Sequence, residues 1–129
     1  MRLCDFRHIN FYCVFLNKLG LPEAIINKPN EILYDEAQAA VNEAYNALEP
    51  LQHSEILYLD DRLEGIMGAN RKGWHTVHLP QGKYAGQNRS EVAERFKMPV
   101  TLVQPKHTIS EISRLIPEVL PHYECKRLV

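Results

Sequence analysis

Several features that would identify a common class of protein are absent from this sequence. No apolar run approaches the roughly 18–20 residues that a membrane-spanning helix needs, so we expect no membrane partner. No Cys-x-x-Cys pair occurs, which excludes a zinc ribbon, and three widely spaced cysteines do not indicate a disulfide framework. A basic excess is also lacking, because 15 Lys and Arg stand against 16 Asp and Glu. The net charge of -1 argues against a nucleic-acid-binding protein.

The amino-terminal stretch MRLCDFRHINFYCVFLNKLG lacks the pattern of a signal peptide. Charged residues such as Asp5 and Arg7 interrupt its apolar positions, and it has no small-residue cleavage pattern. We therefore expect a cytoplasmic protein whose cysteines are reduced thiols.

The length and composition fit one globular domain. At 129 residues the chain suits one core, and we assign residues 1–129 to a single domain. Hydrophobic residues make up 45%, which is too high for a disordered protein. Helix-like and strand-like patterns alternate along the chain, which predicts an α/β fold with parallel strands and right-handed crossovers.

Helices dominate the first part of the predicted fold. The clearest one has Pro29 near its start and Pro50 just past its end, and its apolar residues from Leu33 to Leu48 recur at three- and four-residue steps. An earlier helix is predicted over about 7–18, with Gly20 placed to cap its end.

Three short segments are predicted to form the strands of the sheet. Ile56–Leu59 is a continuous apolar run, as expected of a strand covered on both faces, and His75–Leu79 and Val100–Val103 are the other two. Between the first two strands we predict a helix over residues 62–72, which Gly73 ends.

Two further helices are predicted in the last third of the chain. Ser90 can cap a short helix that runs to about Lys97. The segment Thr108–Glu111 fits a capping box that opens the last helix, and Pro117 is expected to end or kink that helix.

An adjacent pair of carboxylates, Asp60 and Asp61, follows the first predicted strand in ILYLDDRLEG. The two charges repel each other, although a solvated turn would tolerate them. In open parallel sheets, ligands bind at the carboxyl ends of the strands. Because Mg²⁺ prefers oxygen ligands and needs only one or two protein carboxylates, it would remove the repulsion. The pair is therefore a candidate Mg²⁺ site.

Lys28 is a second candidate site residue, at the start of the long helix. That helix of roughly 18 residues covers about 27 Å, and the following strand runs back along it. The helix start and the strand end should therefore meet on one side of the sheet, with Lys28 near Asp60 and Asp61. A lysine there would stabilise the charge of a metal-bound phosphate. The alternative is a solvated lysine before a proline.

The stretch YLDDRLEGIMGANRKGWHTVHL resembles the fourth motif, and the helix and strand after it, of the haloacid dehalogenase-like hydrolases. That family's pattern has an apolar strand, an acidic pair, a helix with small residues, a glycine and another strand, which Asp60, Asp61 and Gly73 fit. Lys28 with Pro29 resembles the third motif, and TLVQPKHTISEISRLIPEVLP is similar to the last strand and closing helix. The resemblance implies a partial Rossmann-like three-layer sandwich with a parallel sheet, the carboxyl-terminal part of the family's core domain.

The resemblance also implies a reaction. The family's phosphatases use Mg²⁺ and an aspartyl-phosphate to hydrolyse small phosphate esters. By that resemblance Asp60 and Asp61 hold Mg²⁺, and Lys28 is a catalytic residue that orients the nucleophile and the phosphate. The implied partner is a small phosphorylated metabolite.

The family's nucleophile motif, Asp-x-Asp after an apolar strand, is absent from this sequence. The other aspartates are Asp5 and Asp35, and neither follows such a strand. The chain is expected to be a fragment or mis-started product of a hydrolase, a catalytically inactive derivative, or one partner of a complementing chain. Without the family's neighbouring strand, Ile56–Leu59 would present an exposed sheet edge, open to self-association or to that complementing chain.

Histidines and basic residues give weaker signals. His75 and His78 are three apart on a predicted strand, so they should point to opposite faces and not form a joint zinc site. A basic cluster is interleaved with acidic residues, which favours a solvated face. Its members are Lys83, Arg89, Arg95 and Lys97.

Overall fold

The computed structural model describes residues 31–44 and 50–123 of the chain. The helix predicted over about 7–18 and the candidate catalytic Lys28 lie outside these ranges. The helices and strands are, in chain order, α1 (Glu31–Ala44), β1 (Leu57–Asp60), α2 (Leu63–Lys72), β2 (His75–His78), α3 (Arg89–Arg95) and β3 (His107–Thr108). Short 3₁₀ turns occur at His53–Glu55, Gly82–Tyr84 and Val100–Val103. The carboxyl-terminal turns are the short helical segments Ile112–Arg114, Leu115–Val119 and Leu120–His122.

The described strands form a parallel sheet in the order β1-β2-β3. Asp60 on β1 lies opposite His78 on β2, and His78 lies opposite Thr108 on β3. Each connection between neighbouring strands contains helical segments, as parallel pairing requires. The predicted α/β class with a parallel sheet is therefore confirmed. Within the described residues β1 is the outer strand beside β2.

Helix α2 and the carboxyl-terminal turns cover opposite faces of the sheet. Thr76 on β2 donates its hydroxyl hydrogen to Asn70 Oδ1 on α2, at 2.9 Å. On the other face Val77 packs with Ile109 and Val119, and all three side chains are buried. Removing an aliphatic side chain of this size from water stabilises the fold by about 1.5–3 kcal/mol.

Helix α1 packs on α2 through the buried Tyr34. The Tyr34 hydroxyl donates to the Gly65 carbonyl at 2.8 Å. Its ring fits because position 68 is glycine, since a Cβ there would lie 2.3 Å from the Tyr34 hydroxyl oxygen. Trp74 is 4% exposed and meets the Tyr34 ring edge-on, with ring centroids 5.5 Å apart. Gly73 ends α2 as predicted, with a left-handed φ of 81° that suits glycine.

The predicted strand Val100–Val103 is wrong, because this segment is a 3₁₀ turn that follows Pro99. The third strand is β3, which begins four residues after Val103. The turn buries Val103 against α2, and the Asn70 side chain donates to the Leu102 and Gln104 carbonyls. Short apolar runs cannot separate a buried strand from a helical turn, so the sequence favoured the wrong element.

Two predicted helix starts are also corrected. Asn88, not Ser90, caps α3, since its side-chain oxygen accepts from the Glu91 backbone N–H at 3.1 Å. Thr108 belongs to β3 and does not open a helix, because the Ile109 N–H bonds the His78 carbonyl at 3.0 Å. The regular last helix is replaced by the carboxyl-terminal turns, and Pro117 lies within them.

An aromatic and imidazole cluster joins the carboxyl-terminal turns to the strand starts. His107 Nε2 lies 2.7 Å from the Tyr123 hydroxyl, and the His75 and Tyr123 rings are 4.6 Å apart. Lys106 Nζ lies 2.8 Å from His75 Nδ1, so that nitrogen accepts and the ring is neutral. The His122 ring lies 5.2 Å from that of His107. Protonation of His75 would place its charge next to the Lys106 ammonium. Protonation of His107 would place its charge next to the His122 ring, which can also be protonated.

Acidification is expected to weaken this cluster. Burial, together with Lys106, lowers the pKa of His75, and burial, together with His122, lowers the pKa of His107. The unfolded chain therefore binds these protons more readily, so the cluster's contribution to stability is present above about pH 6.5 and is lost as pH falls.

Urea unfolding between pH 7.5 and 5 measures this effect. The unfolding free energy should decrease as the pH is lowered from 7.5 to 5. The decrease should be smaller in a His75→Gln/His107→Gln variant. His53→Gln, which changes an exposed histidine, should keep the wild-type slope. Equal slopes in all three proteins would contradict the prediction.

The described helices do not include one that is both long enough and apolar enough to cross a membrane.

Candidate functional site

The carboxylate of Asp60 is held inside the fold at the carboxyl end of β1. Its side chain is mostly buried, at 8% exposed. Oδ2 accepts from the Tyr58 hydroxyl at 2.5 Å, and Oδ1 accepts from the Arg62 backbone N–H at 3.0 Å. Two protein donors therefore compensate the desolvation of a buried charge.

Gly65 makes room for that carboxylate. A Cβ at position 65 would lie 1.8 Å from Asp60 Oδ2 and 2.9 Å from the Tyr58 hydroxyl oxygen. The first turn of α2 thus lies directly on the carboxylate, and only glycine permits this approach. Gly65 therefore has a steric function at this site.

The two tyrosines beside Asp60 remain neutral donors. Burial raises the pKa of Tyr58 far above its ordinary value, and the nearby Tyr34 and Asp60 raise it further. Burial likewise raises the pKa of Tyr34. The two rings pack with their centroids 5.7 Å apart, which fixes the Tyr58 hydroxyl next to Oδ2.

Asp61 is the more accessible member of the pair, with a half-buried side chain. Its carbonyl oxygen lies 3.2 Å from His78 Nε2, so this nitrogen carries the hydrogen that it donates. His78 is 7% exposed and occupies the strand position opposite Asp60. It contacts this turn, whereas His75 contacts Ser54 and Tyr123, which agrees with the prediction that the two imidazoles diverge.

A buried polar network surrounds Glu64 in the first turn of α2. Gln87 Nε2 donates to both Glu64 oxygens, at 2.9 and 3.0 Å, and Arg95 forms an ion pair with the same carboxylate. Gln87 Oε1 accepts from the Leu63 N–H at 2.8 Å, which satisfies a donor at the helix start. Burial would raise the pKa of Glu64, but the hydrogen bonds and Arg62 hold it below its ordinary value.

The sequence alone did not single out Glu64 or Gln87, and it considered His78 only as half of a rejected zinc site with His75. For His78 a usable signal existed, because it ends the strand next to the one that ends at Asp60. Glu64 and Gln87 lie 23 residues apart, and nothing in their spacing predicts the contact. Arg95, assigned to a solvated face, has one contact that the sequence did not predict, with the buried Glu64.

The side chains near the carboxyl end of β1 can be compared with the ligands that a metal ion requires. Residues 31–44 and 50–123 contain no group of three or more His, Cys, Asp or Glu side chains arranged to hold a metal. Asp60 and Asp61 are adjacent in sequence at the carboxyl end of β1, and two carboxylates would be enough for Mg²⁺, which retains several waters. Oxygen ligands of this type would suit Mg²⁺ better than a structural zinc. Asp35 belongs elsewhere, because it pairs with Lys72.

Comparisons with known proteins identify no relative: no protein-family model, no curated protein and no solved structure matches this chain.

Proposed function

We propose that this chain is a cytoplasmic Mg²⁺-dependent hydrolase of the phosphatase type, with a Rossmann-like fold akin to the haloacid dehalogenase-like hydrolases. Its substrate class would be small phosphate esters. Asp60 and Asp61 would hold the cation, and Lys28 would bind the phosphate. The observation that supports this most is the position of the acid pair at the carboxyl end of a parallel strand, with α2 beginning two residues later.

The described residues would act mainly by holding and orienting the site. Bound Mg²⁺ would neutralise the phosphate charge during transfer. Tyr58 and the Arg62 N–H fix the Asp60 carboxylate, and His78 fixes the Asp61 backbone. Rigid ligands of this kind lower the cost of organising the site during reaction. We assign no attacking group among the described residues.

A second candidate function is a catalytically inactive domain in which the acid pair has a structural role. The observation that favours it is that both Asp60 oxygens already accept hydrogen bonds from protein donors. Self-association or binding of a complementing chain at the β1 edge stays a prediction of the sequence. Static light scattering of the purified chain tests that prediction.

Phosphate release from phenyl phosphate tests the choice between the two functions. With Mg²⁺, the purified chain should release phosphate, and Asp61→Asn should reduce the rate at least about 100-fold because a charge-stabilising ligand is lost. Asp35→Asn is the matched control, since it changes an exposed aspartate on α1. No release by the wild-type chain, or equal rates in all three proteins, would favour the inactive domain.

A further inference from the structure

Arg62 lies at the junction between the acid pair and α2. Its backbone N–H donates to Asp60 Oδ1, so the residue is fixed directly next to the candidate cation site. Its side chain is 42% exposed, which leaves part of the guanidinium open to solvent. Its Nε atom is buried and has no hydrogen-bond partner. The arginine therefore carries donors that protein groups do not saturate.

Two contacts hold the guanidinium in place without saturating it. Arg62 Cζ lies 4.8 Å from the centroid of the Tyr84 ring, a cation–π distance. Arg62 Nε lies 3.4 Å from Glu64 Oε2, an ion pair that lacks hydrogen-bond geometry. Glu64 also pairs with Arg95, so one carboxylate faces two arginines. Glu64 is therefore shared and does not neutralise Arg62 alone, while Asp60 and Asp61 lie on the backbone side of Arg62.

Lys83 adds a second cation beside the same ring. Its Nζ lies 5.1 Å from the Tyr84 centroid, and it pairs with no carboxylate in the described part of the chain. The loop that carries Lys83 and Tyr84 follows β2 and is tied to α2 by the Gln87 side chain. Both cations therefore approach one ring next to the carboxyl edge of the sheet, where an oxyanion would reduce their repulsion.

We propose that Arg62 and Lys83, arranged around Tyr84, form a binding site for the phosphate group of the substrate. Arg62 would bind phosphate through its planar fork of N–H donors, and Lys83 would contribute a point charge. This inference rests on the proposed function for the identity of the ligand. It adds residues from the α2 start and from the loop after β2 to the proposed site at Asp60 and Asp61.

Binding of inorganic phosphate to the full chain tests the inference, followed by ¹H–¹⁵N NMR first without and then with Mg²⁺. Arg62→Gln should weaken phosphate binding by about tenfold, as expected for the loss of a charged hydrogen bond, and Lys83→Gln should weaken it less. Arg62→Lys should recover only part of the affinity, because lysine lacks the fork. Arg71→Gln, at the other end of α2, is the matched control and should bind like the wild type.

Two results would overturn the inference: wild-type affinity in Arg62→Gln, or an equal loss in Arg62→Gln and Arg71→Gln. Thermal unfolding of each variant shows whether a loss of binding reflects loss of the fold, and Arg62→Lys is the variant to use if Arg62→Gln does not fold. The proposed function fails separately. If phosphate binding depends on Arg62 but the chain binds no Mg²⁺, the proposed hydrolase function is contradicted. If the chain binds Mg²⁺ but phosphate binding does not depend on Arg62, this inference is contradicted.

Discussion

Gly65→Ala is expected to lower the unfolding free energy by about 3 kcal/mol or more, at the upper end of the range for overpacked cores. The new methyl carbon would lie 1.8 Å from Asp60 Oδ2 and 2.7 Å from Asp60 Cγ. The carboxylate cannot swing aside without breaking its hydrogen bonds to Tyr58 and to the Arg62 N–H. Alanine is the better helix former by about 1 kcal/mol, which offsets only part of this cost.

Gly86→Ala is the matched control for this substitution. No atom lies within 4 Å of a Cβ placed there, and its φ is not in the left-handed region. It should change stability by no more than about 1 kcal/mol. Urea unfolding of both variants measures the difference. Equal stability of Gly65→Ala and the wild type would show that the first turn of α2 does not lie on the Asp60 carboxylate.

Glu64→Ala is the second substitution with a large expected effect. It removes a carboxylate that is 3% exposed and leaves Gln87, Arg95 and Arg62 without their shared partner. Removing one member of a fully buried ion pair costs about 3–5 kcal/mol. The side chains of Arg62 and Arg95 are 42% and 58% exposed and can rehydrate, so we expect a smaller loss, about 2 kcal/mol.

The pH dependence of this variant gives an independent check. Because the pKa of Glu64 is lowered in the folded chain, its contribution is present above its ordinary value of 4.5 and is lost at lower pH. The gap between Glu64→Ala and wild type should therefore be wide at pH 7 and narrow at pH 3. Glu94→Ala, an exposed change on α3, is the control and should stay near the wild type. If the difference in unfolding free energy does not become smaller at low pH, the ion pairs of Glu64 are not the cause of the destabilisation.

The elements that the sequence predicted correctly are those with strong local signals. Helix α2 ends at Gly73 because only glycine adopts this φ without strain, and that signal is local. The strand that ends in Asp60 contains a continuous apolar run, and the one that begins at His75 starts directly after the helix end at Gly73 and Trp74. Val100–Val103 has the same composition as a strand, yet it forms a 3₁₀ turn because it packs on α2 rather than pairing with β2.

The candidate site was also predictable only in part, because only some of its features have a local sequence signal. Asp60 and Asp61 are adjacent in sequence and sit at a strand end, so the rule for parallel sheets locates them. Burial of Asp60 under Gly65 and the link from Gln87 to Glu64 arise from packing between distant segments. A sequence pattern does not encode which side chains meet across such a distance. The predicted approach of Lys28 to the pair stays a prediction.

Isothermal titration of the purified chain with Mg²⁺ at neutral pH tests the central claim most directly, namely that Asp60 and Asp61 form a cation site at the sheet edge. We predict saturable binding of about one Mg²⁺ per chain, as expected for a site that uses one or two carboxylates. Asp61→Asn should weaken it by about tenfold or more, since it removes a charged oxygen ligand, and Asp35→Asn should leave it unchanged. The absence of saturable binding, or equal affinity in the wild type and Asp61→Asn, would contradict the account.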